Sequence, residues 1–145
     1  MRNEMPCVLQ KLFLRMLGGI YVDRDSKDFG FISKSEEILG KGGVVGIFPE
    51  GRIPLPGEEM PLEFKTSAAY IALSSGARII PVVTDGAYFG RKRAHVLIGK
   101  PVVMSDLLPS KSGNLPQREE ILEVTEKLRQ RIAGLKETLD ERIGK

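Results

Sequence analysis

The chain has 145 residues, 41% hydrophobic and 28% charged, which fits a globular protein with one core and excludes a disordered tail or a collagen-like fibre. Its 22 basic and 19 acidic residues leave a net charge of +3, too small an excess for a dedicated nucleic-acid binder but enough to favour an anionic partner, a phosphate or an anionic membrane surface. One cysteine, Cys7, excludes an intramolecular disulfide framework and a cysteine zinc cluster, and no apolar run reaches the roughly 18–20 residues of a membrane-spanning helix.

No cleavable apolar leader opens the sequence, so a cytosolic-facing protein is expected. Met5 to Leu17 is nearly all apolar, with Gln10, Lys11 and Arg15 its polar members and Pro6 where a helix can begin. Lys11 and Arg15 share a helical face, and two readings stay open: a helix lying in a bilayer interface, or a buried helix whose two basic side chains reach out to water. Gly18-Gly19 breaks the pattern before the β-prone run Ile20-Tyr21-Val22, which ends in Asp23-Arg24-Asp25. Phe31 to Leu39 reads as a helix with Ile32, Ser35, Ile38 and Leu39 on one side and Gly40 as its stop.

Val44-Val45-Gly46-Ile47-Phe48 is a continuous apolar run between Gly42-Gly43 and Pro49, the pattern of a strand buried on both faces of a parallel sheet. Gly51 to Pro61 holds three prolines and two glycines and reads as an irregular loop. Thr66 to Ser75 is an alanine-rich helix ended by Gly76, and Ile79-Ile80-Pro81-Val82-Val83 supplies another buried strand. Ala94 to Ile98 reads as one more, after the cluster Arg91-Lys92-Arg93. This alternation predicts an α/β fold with a largely parallel sheet flanked by helices, whose functional loops lie at the carboxyl ends of strands.

Residues 114–145 differ in character from residues 1–113. Asn114 with Gln117 suggests a capping box, and Ile121, Thr125, Leu128, Ile132, Leu135 and Leu139 recur at steps of four and three. One long amphipathic helix docked on the preceding domain is expected, with a coiled-coil dimer as the alternative, although Gly134 and Thr125 weaken such a seam. Its seven basic and seven acidic residues cancel, so the net positive charge resides in residues 1–113.

The string richest in chemistry is Gly46-Ile47-Phe48-Pro49-Glu50-Gly51-Arg52. A strand would deliver a carboxylate and a guanidinium to the mouth of the sheet, and the glycine between them lets the backbone approach a ligand. Arginine there suits bidentate phosphate binding, although a Glu-Gly-Arg turn taken alone is more often a surface ion pair than a site. Other motifs fail. Gly40-Lys41-Gly42-Gly43 precedes a strand rather than following one, no lysine-serine or lysine-threonine pair completes a Walker-type loop, and no Gly-x-Ser-x-Gly elbow occurs. Cys7 has no adjacent base and reads as structural.

Three segments in order resemble motif blocks of the glycerophospholipid acyltransferase family, the group that includes the 1-acylglycerol-3-phosphate acyltransferases. Gly19-Ile20-Tyr21-Val22-Asp23-Arg24 resembles the second block, Phe48-Pro49-Glu50-Gly51-Arg52 the third and Ile79-Ile80-Pro81-Val82 the fourth. Phe64-Lys65 and Ile98-Gly99-Lys100-Pro101 extend the resemblance, which spans roughly residues 1–108. It implies a partial acyltransferase domain over residues 1–113 that transfers an acyl group from acyl-CoA or acyl-carrier protein to a lysophosphatidate-like lipid, in phospholipid biosynthesis, with no bound cofactor. By position in the motifs, Arg24, Glu50, Gly51 and Arg52 would bind the glycerol phosphate end of the acceptor, Lys65 would add positive charge, and Pro81 would be structural.

The sequence departs from that family in two places. Arg52 follows Gly51 directly, where the third block commonly has an intervening threonine. The first block, His-x-x-x-x-Asp, whose histidine is the general base, is absent: the one histidine, His95, lies after the fourth block and reads as a polar strand residue. No catalytic residue is therefore assigned, and the isolated chain is expected to keep the acceptor site without turnover. A non-catalytic lipid- or phosphate-binding module is the alternative. Five basic residues from Arg78 to Lys100, interspersed with Tyr88 and Phe89, suggest peripheral attachment to the cytoplasmic leaflet rather than nucleic-acid binding.

Overall fold

The computed structural model describes residues 13, 15–20, 22, 29–55, 57, 58, 60–86, 93–108 and 117–144. The expected opening helix falls largely outside them, as do Arg24, Tyr88, Phe89, Arg91 and Lys92.

Residues 13, 15 and 16 are helical, and the first helix described over its whole length, α1, runs Gly30–Gly40, one residue beyond the predicted span at each end. Its stop lies further on than Gly40. The Gly43 N–H bonds the Ile38 carbonyl at 2.9 Å, the Gly42 N–H bonds that of Leu39 at 2.9 Å, and Gly42 has φ of 77°. That pair of bonds around a left-handed glycine is a Schellman motif, and it satisfies carbonyls the helix would otherwise leave open. The second helix, α2, spans Ser67–Ser75 and ends on left-handed Gly76. It buries Ala69, Ile71 and Ala72, and the two alanines let its neighbours come close.

The sheet differs from expectation. Among the described residues it has two strands, β1 (Val82–Thr84) and β2 (Val96–Ile98), paired antiparallel with Val83 opposite Leu97. A bridge between Ile79 and Val102 extends the ribbon, and the Gly99 N–H bonds the Pro81 carbonyl at 2.8 Å. Between those two pairings the second arm has one residue more than the first, a bulge at Lys100-Pro101. The direction of pairing follows from chain length: the stretch from Asp85 to His95 is shorter than the roughly twelve or more residues a parallel crossover needs, so it closes a hairpin.

Residues 44–48 are no strand either. They run outside any helix or sheet, with Val44 92% and Phe48 94% exposed. Apolar composition shows that a segment gains from burial, but a strand also needs a partner, and among the described residues none pairs with this one.

The last helix, α3, runs Arg118–Ile143. Its capping box is formed by Gln117 and Glu120, three residues on from the predicted pair. The Gln117 N–H bonds Glu120 Oε2 at 2.9 Å. Val124, Thr125, Leu128 and Leu139 are buried, so the periodic stripe does face inward. A 3₁₀ turn at Met104–Leu107 precedes the helix. Phe64, Ala69, Ala72, Val102, Met104, Leu107, Val124 and Leu128 form the core, where α3 packs against α2, the hairpin and the 3₁₀ turn. α1 packs on α2, and Ser74 Oγ donates to Glu36 across that seam.

Candidate functional site

The site is built on residues 48–65, which leave the exposed apolar run and return to α2. Gly51 donates its N–H to the Phe48 carbonyl at 3.1 Å, closing a turn, and has φ of 68°, a value side chains other than glycine's resist. At the far end of the loop the Lys65 N–H bonds the Pro49 carbonyl at 2.8 Å, and Glu50 accepts the Leu62 N–H. These bonds draw the two ends of the loop together. Phe64 is 6% exposed and anchors the returning limb in the core.

Between the limbs lies a cleft of about 320 Å³ lined by Glu50, Gly51, Arg52, Leu62, Glu63 and Lys65. An ideal Cβ at Gly51 would stand 3.5 Å from Lys65 Cγ, so the bare backbone and the lysine stem form one wall. Arg52 forms a bidentate pair with Glu58, Nη1 to Oε2 at 2.6 Å and Nη2 to Oε1 at 2.7 Å. Glu58 is held in turn by the Leu55 N–H at 2.7 Å.

The electrostatics follow from those contacts. Hydrogen bonds from Arg52 and then from the Leu55 N–H lower the Glu58 carboxyl from 4.5 to about 2. Burial raises the Glu50 carboxyl above its ordinary value, against the opposing pull of the Leu62 N–H and the Arg52 charge. Lys65 Nζ has no hydrogen bond or ion pair among the described residues. The cleft is thus lined by a lysine with no partner among the described residues and by an arginine whose guanidinium is matched to a carboxylate, a combination suited to exchanging one oxyanion for another.

Of the residues singled out in the sequence, Glu50, Gly51, Arg52 and Lys65 line this one cleft, and Arg24 lies outside the described residues. Sequence reasoning missed Glu58 and Glu63. The acidic pair Glu58-Glu59 after Gly57 was the available signal for a partner to Arg52. His95 does not line the cleft. It stands just before β2 with Nδ1 2.7 Å from Asp85 Oδ2, beside a separate groove of about 480 Å³ that includes Leu139, Arg142 and Ile143. Among the described residues no group of three or more His, Cys, Asp or Glu side chains could hold a metal ion, and no helix is long and apolar enough to cross a membrane.

The fold is similar to that of a crystal structure of the 1-acyl-sn-glycerophosphate acyltransferase PlsC of Thermotoga maritima, with a TM-score of 0.56 over 88% of this chain and 50% of that one, at 23% identity. In sequence the chain is 31% identical over 134 residues to the 1-acyl-sn-glycerol-3-phosphate acyltransferase of Bacillus subtilis (strain 168), covering 89% of this chain and 63% of the relative. It therefore spans about half to two thirds of the length of the relatives it matches. The Acyltransferase family model matches residues 3–85, which include the loop that carries Glu50, Gly51 and Arg52. The chain belongs to the Acyltransferase family.

Proposed function

We propose that this chain supplies the acceptor site of an acyltransferase of phospholipid biosynthesis, binding a lysophosphatidate-like lipid by its phosphate, with acyl-CoA or acyl-carrier protein as donor. The observation that carries the reading is the convergence of Glu50, Gly51, Arg52 and Lys65 on one cleft. Arg52 and Lys65 supply charge to the phosphate, Gly51 lets the backbone approach it, and Glu50 is placed to accept a hydrogen bond from a glycerol hydroxyl. Arg24 completes the cationic set by its place in the second motif block. The B. subtilis relative supports the choice of acceptor, being named a 1-acyl-sn-glycerol-3-phosphate acyltransferase.

No base for the acceptor hydroxyl is assigned within these residues, since the one histidine lies beside the other groove. A positioned base contributes about 10²–10⁴ in rate, and the 145-residue chain alone is expected to fall short of a complete enzyme by that order. Attachment to an anionic membrane surface through the opening segment and the basic stretch completes the proposal.

Titration with sn-glycerol 3-phosphate tests the site. Arg52→Gln and Lys65→Gln should each weaken binding about 5- to 20-fold, the loss of one charge-assisted contact. Affinity unchanged in both variants would overturn the reading. Acyl transfer from acyl-CoA to lysophosphatidate at the rate of a complete enzyme would overturn the missing base.

A further inference from the structure

The Arg52 guanidinium presents two parallel N–H donors, and Glu58 occupies both, at 2.6 and 2.7 Å. A phosphate monoester offers the same two-oxygen edge, so Glu58 and a phosphate compete for one fork. The carboxylate is set in place by its own turn: Leu55 donates its N–H to Oε2 at 2.7 Å, and the Glu58 N–H bonds the Leu55 carbonyl at 3.1 Å. The pair nonetheless stands at the surface, with side chains 49% and 31% exposed, so water and a dianion can reach it. Lys65, free of any partner among the described residues, lines the same cleft.

We propose that Glu58 is an internal stand-in for the acceptor phosphate: it closes the Arg52 fork when the cleft is empty and is displaced when a phosphate monoester enters. The inference rests on the phosphate reading of the cleft and adds a residue that sets its selectivity. A ligand must offer more than one negative charge to outbid a carboxylate already aligned on the fork, with Glu50 and Glu63 repelling weaker anions from the same walls. A phosphate dianion meets that condition and gains Lys65 as a second cation, whereas a fatty acid carboxylate does not. Once released, the Glu58 carboxylate returns to water on the loop.

Calorimetric titration with inorganic phosphate and with sn-glycerol 3-phosphate, near neutral pH and at fixed ionic strength, tests this in the wild type, Glu58→Gln, Arg52→Gln and the double variant. Glu58→Gln should bind both probes about fivefold more tightly, the upper range for an exposed ion pair, and Arg52→Gln should abolish the gain. A similar gain for both probes would mean that the phosphoryl group alone displaces Glu58. A larger gain for the glycerol ester would mean that the headgroup takes part. If Glu58→Gln binds no tighter while binding still depends on Arg52, the stand-in is overturned and the phosphate site survives. If no variant binds either probe, both readings fall. Glu58→Asp, one methylene too short to span the fork, should shift affinity in the same direction and serves if the circular dichroism of Glu58→Gln departs from the wild type.

Discussion

Gly51 is the residue on which the shape of the cleft turns. Its φ of 68° costs other residues about 1–2 kcal/mol, so Gly51→Ala should lower stability by that order in chemical denaturation and weaken phosphate binding alongside. Two exposed carboxylates give stability a small acid-sensitive part. Glu58, bonded by Arg52, and Glu37, bonded by Lys34 at 2.7 Å and Lys41 at 2.6 Å, both have carboxyls lowered from 4.5 to about 2. Their contribution is whole above about pH 4.5 and is lost as pH falls towards 2, because the unfolded chain takes up protons first. Melting curves should accordingly show wild type and Glu58→Gln converging as pH drops through that window. Glu50 has the opposite sign. Burial raises its carboxyl above the ordinary 4.5, so keeping it charged weakens the fold as pH rises beyond that ordinary value, and Glu50→Gln should raise the melting temperature at neutral pH while impairing ligand binding. The cleft residues were legible because Phe48-Pro49-Glu50-Gly51-Arg52 is one contiguous string. The partner of Arg52 was not, since a side chain six positions along an irregular loop is brought back only by the turn at residues 55–58.

Helices were legible because their information is local. Periodicity placed α1, α2 and α3 to within a few residues, with Gly40 and Gly76 as the expected stops of the first two. At the end of α1 the two glycines have different reasons. Gly42 needs its positive φ, while a Cβ at Gly43 would stand 2.9 Å from the Ile38 carbonyl oxygen it bonds. At the other end of the chain, Glu120→Ala removes half of the capping box and should cost about 1 kcal/mol, read from denaturant midpoints. Strand pairing was not legible. Residues 79–83 and 94–98 announce β structure by composition, but whether they join in parallel or antiparallel depends on the length of the connection and on which edges lie within reach. A run such as residues 44–48 likewise reports an appetite for burial without naming what satisfies it.

Across the whole molecule the core joins parts far apart in sequence: Phe64 behind the cleft, Met104 in the 3₁₀ turn and Leu128 in α3. Leu128 is 2% exposed, and Leu128→Ala should cost about 2–5 kcal/mol and loosen the support beneath the cleft, seen as parallel losses of melting temperature and phosphate affinity. Apolar side chains just before and within the cleft loop are poorly covered. Val44, Phe48 and Ile53 are each more than four-fifths exposed, a surface that favours association. The apparent mass from light scattering should rise with concentration, and Val44→Thr with Ile53→Thr should hold it nearer the 16.0 kDa of one chain without lowering the melting temperature.

The bare backbone at Gly99 has a mechanical consequence. A methyl group there would come within 3.0 Å of Leu135 Cδ2 and 3.5 Å of Pro81 Cβ, so the long helix rests almost directly on the ribbon at this spot. Glycine at this position therefore sets how near the helix and the ribbon can lie, and any side chain there would wedge the two apart.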